Sequence, residues 1–109
     1  MPPDLGKAAA LYQKAADQGH AAEQNNLGLL YQHGEGVPKD LGKAAELYQK
    51  AADQGNADAQ YNLGWLYEYG RGVPTDSGKA KELLEKAAKQ GDQRAIRWLK
   101  TLSESPKND

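Results

Sequence analysis

The feature that most constrains this chain is a translation. Moving the sequence by 36 residues carries DLGKAAALYQKAADQG, from Asp4, onto DLGKAAELYQKAADQG, from Asp40, and the unit opens a third time as DSGKAKELLEKAAKQG at Asp76. Between the first two copies 26 of 36 positions are identical. A period in this range belongs to chains that lean one small unit on the next, in contrast to those that close around a single core.

The physics of one unit accounts for the period. Ala44, Leu47, Tyr48, Ala51 and Ala52 recur at the three- and four-residue intervals of an amphipathic helix, with Glu46, Gln49, Lys50 and Asp53 on the other side. Asp40 stands where a carboxylate accepts from the free amides of the first turn, and Gly55 where a helix ends in a left-handed residue. A second helical pattern runs through Ala59, Leu63, Leu66, Tyr67 and Gly70. It stops at Gly70-Arg71-Gly72-Val73-Pro74, which cannot prolong a helix, and Asp76 caps the next one. Neither apolar stripe can be buried by its own helix, so each hairpin must pack on its neighbours.

The expected fold is therefore all-α, an α/α superhelix or solenoid of three helical hairpins and six helices. It forms one domain over 1–109, with repeats at about 4–39, 40–75 and 76–103 and a polar tail over 104–109. The first repeat places helices at about Leu5–Gln18 and Ala21–His33, and the third at about Ser77–Gln90 and Asp92–Leu102. Ser103 onward reads as frayed. Met1-Pro2-Pro3-Asp4 lines up with Val37-Pro38-Lys39-Asp40, so the sequence opens on a repeat boundary, as a piece of a longer array or a designed block would.

Where the copies differ, the differences have physical meaning. Glu23 stands where the other copies have Ala59 and Ala95, and an unpaired buried carboxylate is costly, so the second helix is expected to shift or Ala22 to take the contact. Asn26 and Asn62 lie at the edge of the buried face, where an amide can reach a neighbouring loop carbonyl. Trp98 replaces them in the third copy and should cover the terminal groove. Lys100 replaces Gly28 and Gly64, and Ser103 replaces Tyr31 and Tyr67, which makes the last helix polar on its outer side. The opposite edge presents Leu5, Ala8, Ala9 and Leu11 with no preceding repeat, an arrangement open to head-to-tail self-association.

Several function classes lack the residues they need. The formal net charge is −1, with Lys and Asp/Glu interspersed, so there is no basic footprint for nucleic acid. No apolar run is long enough to insert in a membrane and no signal-like start is present, which leaves the compartment open. Without cysteine there is no disulfide framework and no thiolate metal site. His20 and His33 have no third ligand at suitable spacing, and no cofactor motif is written: Gly34-Glu35-Gly36 and Gly70-Arg71-Gly72 lack the strand and the GK[ST] of a phosphate loop. Ser77, Ser103 and Ser105 have no activating His nearby, so no catalytic group is assigned. Glu46 with Lys50, and Glu82 with Lys86, read as surface helix pairs.

Taken together, Ala44, Tyr48, Ala51, Ala52, Gly55, Ala59, Leu63, Gly64, Tyr67, Gly70, Gly72, Val73, Pro74 and Asp76 give a pattern that resembles the Sel1-like repeat family, relatives of tetratricopeptide repeats. The resemblance covers almost the whole chain. It implies an α/α superhelix and a role in holding protein or peptide partners, without naming one. Some secreted members of that family carry a disulfide in each repeat, and this cysteine-free chain departs from them.

Two surfaces are candidates for such a role. On the first helices the outward positions form ladders, Lys14, Lys50 and Lys86 beside Gln13, Gln49 and Glu85 and beside Ala10, Glu46 and Glu82. The resemblance places these in a concave groove, where they read first as a solvated face and otherwise would suit a peptide of alternating charge. On the second helices Asn25, Leu29 and His33 become Tyr61, Trp65 and Tyr69, then Arg97 and Thr101. Aromatic side chains left exposed there are contact anchors, and the competing reading is that Tyr61 and Trp65 fill a gap between repeats. The candidate partner-binding residues are thus Leu29, His33, Glu46, Lys50, Tyr61, Trp65, Tyr69 and Lys86. The function expected is a non-catalytic protein-interaction scaffold; the alternative is an excised or consensus-designed repeat block that mainly associates with itself.

Overall fold

A computed structural model describes residues 4–104, which form six helices: α1 (Leu5–Asp17), α2 (Ala21–His33), α3 (Leu41–Asp53), α4 (Ala57–Tyr69), α5 (Ser77–Lys89) and α6 (Gln93–Glu104). No strand occurs among the described residues. Equivalent helices start 36 residues apart, so the period of the sequence is the period of the structure. The last helix runs through Ser103 and Glu104, where a frayed end is expected from the sequence; the rest of the expected tail and Met1–Pro3 lie outside the described residues.

The helix ends follow local chemistry. Asp4, Asp40 and Asp76 each accept from the backbone amide three residues on, at 2.9–3.0 Å, and Asn56 does the same for α4. After α3 the amides of Gly55 and Asn56 bond back to Ala52 and Ala51, and the left-handed Gly55 turns the chain directly into α4. After α4 the loop folds over the start of α3. Gly72, at φ 76°, lies there against Leu41, and a Cβ on it would meet the Leu41 backbone at 2.5 Å.

Packing runs from each helix to its sequence neighbours, and it is heaviest between hairpins, α2 on α3 and α4 on α5. The result is a rod-like stack of 50 × 27 × 24 Å. Its radius of gyration of 14.7 Å exceeds the roughly 13 Å of a compact domain this long. Ala44, Tyr48, Ala51, Ala59, Leu63 and Leu66 form the central core, and smaller apolar clusters lie on either side of it.

Close approach at the α2–α3 contact depends on one missing side chain. Tyr48 is fully buried, and a Cβ on Gly28 would sit 2.6 Å from its ring. The phenol donates to Gln32 Oε1 at 2.6 Å, which satisfies a group that burial otherwise penalises. Burial pushes the Tyr48 pKa up, so the phenol stays protonated. In the next contact Leu84 replaces the tyrosine, and a Cβ on Gly64 would find its nearest neighbours at 3.4–3.6 Å.

A ladder of glutamines runs beside this apolar contact. Gln24 and Gln60, each 4 % exposed, donate to the carbonyls of Ala16 and Ala52. In turn Gln54 donates to Gln24 Oε1 at 2.8 Å and Gln90 to Gln60 Oε1 at 2.9 Å. Every amide in the ladder thereby has a partner. Glu23 is half-buried and Ala22 exposed, so Ala22 does not take the contact vacated by alanine; α2 keeps the same 13-residue span as α4.

The two glycines separate by experiment. Gly28→Ala should destabilise by about 1–3 kcal/mol, the usual cost of adding volume to a filled contact. Gly64→Ala should be neutral or gain up to about 1 kcal/mol of helix propensity. Urea denaturation of both variants checks this, and equal losses would contradict the ring contact as the cause.

Candidate functional site

The second helices carry the aromatic residues, and the structure gathers them across the seam between α4 and α6. Tyr61, Trp65 and Tyr69 are spaced by four residues on α4, so they lie along one side of it. Trp65 and Tyr69 pack at 4.9 Å between ring centroids. Trp98, from α6, meets Tyr61 edge-on at 5.8 Å and stacks on Tyr69 at 6.3 Å. Trp65 also packs against the central core, and Tyr61 and Trp98 against the C-terminal cluster. The outermost ring is different: Tyr69 is 57 % exposed.

Arg94 fastens the same seam. Its guanidinium lies 4.3 Å from the Tyr61 ring centroid and bonds Asp58 of α4 at 2.6 Å and Asp92 at 2.7 Å. Asp92 meanwhile accepts from the amides of Arg94 and Ala95 and so caps α6. The hydrogen bond from the Arg94 side chain, helped by those amides, holds the Asp92 carboxyl below the usual carboxylate range.

One seam earlier the same positions are polar. Asn62 Nδ2 donates to Asn25 Oδ1 at 2.9 Å, in place of the loop carbonyl expected from the sequence, and Asn25 is 5 % exposed. Trp98 occupies on α6 the position that Asn62 occupies on α4, and Tyr61 that of Asn25. The pair changes together from amides to rings. That joint change places Trp98 in the aromatic group once the Asn25–Asn62 contact is known.

The charged candidates lie elsewhere. Glu46 and Lys50 line an open groove of about 710 Å³ along α3, together with Asp40, Lys43 and Gln49. Leu63, Tyr67 and Val73 form its apolar side. Gln49 donates to Asp53 at 2.8 Å, as Gln13 does to Asp17. Lys86 is exposed on α5 and does not line this groove. The ion pairs Glu46–Lys50 and Glu82–Lys86 do not close: among the described residues the salt bridges converge on Arg94. An exposed pair gains little in water against the entropy of holding two long side chains in one geometry.

The remaining candidates lie on α2. Leu29 packs on the central core and His33 is exposed at the end of α2. Sequence reasoning missed Lys43 and Lys79, whose ammonium groups lie 5.4 and 5.1 Å from the Tyr31 and Tyr67 rings. Among the described residues no three His, Cys, Asp or Glu are grouped to hold a metal ion, and no helix is long and apolar enough to cross a membrane.

Asp92→Ala should lower stability by about 1 kcal/mol at neutral pH through loss of the cap. Because the folded pKa is depressed, the native contribution is complete above the unfolded value of about 3.9 and is lost as pH falls through the lower folded value. Denaturation midpoints of native and variant chains should therefore converge below about pH 4. A gap that persists unchanged into strong acid would contradict the charged cap.

The Sel1 repeat model matches residues 1–20, 24–56 and 57–92. Among solved structures, a Sel1 repeat protein from Oxalobacter formigenes is 48 % identical over 84 % of this chain and 26 % of its own, with a TM-score of 0.81. A protective antigen of uropathogenic Escherichia coli strains, displaying an SLR fold, is 36 % identical over 91 % of this chain and 21 % of its own, at 0.88. Cysteine rich protein B of Helicobacter pylori is 32 % identical over 81 % and 66 %, at 0.77. This chain spans about a fifth to a quarter of the first two. A search of curated proteins finds no match. With the repeat matched over most of its length and its helices superposing on Sel1-repeat structures, the chain belongs to the Sel1 repeat family.

Proposed function

We propose that this chain is a non-catalytic scaffold that binds a protein or peptide partner through the aromatic face of α4 and α6, with the groove along α3 as a second contact. Sel1 repeats generally act as protein-interaction scaffolds. The observation that carries the choice of face is Tyr69, 57 % exposed yet held between Trp65 and Trp98. A ring already fixed by its neighbours loses little freedom on binding, so less of what its apolar area contributes is offset by ordering. Arg94 and Asp58 border the rings as a polar rim. Tyr61 and Trp65 serve the seam as well as the surface, so Tyr69 is the cleaner contact residue.

The groove along α3 suits an extended segment of alternating charge, with Lys43 and Lys50 for acidic side chains and Asp40 and Glu46 for basic ones. Its rim contacts would steer and select more than they bind. Lys86 would extend this recognition along α5, and Leu29 and His33 would extend the other face along α2.

Binders selected from a displayed peptide library against the native chain test the assignment. Tyr69→Ala should weaken them by roughly tenfold or more, the effect of losing one anchoring ring. The charge exchange Glu46→Lys with Lys50→Glu should weaken them less and mainly at low salt. Unchanged affinity in both variants would reject these surfaces.

A further inference from the structure

The aromatic face sets chemical conditions on what can lie against it. Trp65, Tyr69 and Trp98 carry one apolar surface from α4 to α6, at 4.9 and 6.3 Å between neighbouring ring centroids. It is a face and not a pocket, since the groove along α3 is lined by none of these rings. Nor does its exposure depend on a place in the stack. His33 occupies on α2 the place of Tyr69 and is exposed with two hairpins following it. Leu29 and Asn62, which hold the places of Trp65 and Trp98, are half-buried as those residues are.

The polar atoms on this face are donors. No buried side-chain nitrogen or oxygen among the described residues lacks a partner, so the indole N–H groups of Trp65 and Trp98, which bond nothing in the chain, open to solvent. The hydroxyl of the exposed Tyr69 adds a third. Nearby acceptors are committed: Arg94 holds Asp58 at 2.6 Å and Asp92 at 2.7 Å. Glu68 stands at the position of Gln32, which reaches across to α3, and so lies on the side of α4 that meets α5. An occupant must therefore bring flat apolar groups and hydrogen-bond acceptors but few donors.

That requirement separates ligand classes. A helix pairs its carbonyls with its own amides and has none to offer. The described residues contain no strand whose edge could take another. A sugar donates as much as it accepts and would need the acids that Arg94 occupies. A methylated ammonium favours open ring faces beside negative charge, whereas Tyr61 already carries the Arg94 guanidinium 4.3 Å from its centroid. A proline-rich segment meets each condition. Its rings are flat and apolar, proline has no N–H, and in the polyproline II form the carbonyls are unpaired and the backbone is already extended.

We propose that the aromatic face of α4 and α6 takes a proline-rich segment in the polyproline II form. Prolyl rings lie on Trp65, Tyr69 and Trp98, and backbone carbonyls accept from the two indoles and the phenol. This assignment rests on the face being the partner site, and it narrows the occupant to one chemistry.

With two tryptophans in the chain, a nitrogen–proton correlation spectrum carries two indole signals that report on the face directly. Decaproline should shift both, a glycine-serine peptide of equal length should shift neither, and Tyr69→Ala should weaken decaproline binding roughly tenfold. Indole signals that stay in place with decaproline, or that move equally with both peptides, would overturn the proposal. So would a response to a trimethyllysine peptide or a linear hexasaccharide in place of decaproline. Library-selected binders then show which step failed. If they lack proline and still depend on Tyr69, the face is a partner site with another occupant; if they are indifferent to Tyr69, it is not a partner site at all.

Discussion

Helix α2 lies close to α3 because Gly28 leaves room for the ring of Tyr48, and the rest of the stack depends on that approach. A ring with no exposure contributes roughly 1.5–3 kcal/mol of apolar burial, and its hydroxyl is satisfied by Gln32 at 2.6 Å. Neither partner belongs to the same hairpin as the other. Stability therefore resides between units, as in linear repeats generally. The consequence is visible in burial: α3, with a hairpin on each side, buries six residues, whereas α1 buries two and α6 one.

Polar groups in the stack reinforce the same translation. Two glutamines at 4 % exposure would be a liability in isolation, but each receives an amide from the hairpin that follows and gives its own to a backbone carbonyl. No buried side-chain nitrogen or oxygen among the described residues lacks a partner. Such bonds fix register, because a slip by one helical turn would leave both the ladder and the glycine opposite the wrong groups. At α6 the glutamine is an isoleucine, 38 % exposed, and the ladder stops. The polar lattice and the apolar contact end at the same helix.

The fold was legible because its determinants lie within one period. Asp40, Gly55, Gly70 and Asp76 mark the helix boundaries through bonds made to residues only a few positions away, and all four act as their types suggest. Lateral partners were not legible in the same way. Nothing in a 36-residue spacing tells that Asn62 reaches Asn25 or that Arg94 reaches Asp58 and Tyr61, since those contacts depend on the angle between hairpins. For that reason the sequence located the rings of α4 but left Trp98 out of their group. The expected exposure of Ala9 at the first edge was also reversed: at 5 % exposure it faces α2, and the open side is carried by Leu11 and Tyr12.

If neighbour interfaces hold this molecule together, protection must follow the number of neighbours a helix has. Native-state hydrogen exchange, read helix by helix, measures this directly. Amides of α3 and α4 should exchange slowest, and those of α1 and α6 roughly tenfold faster or more, because end hairpins can open while the middle stays folded. Protection of α1 equal to that of α3 would mean a single cooperative core and would contradict the account.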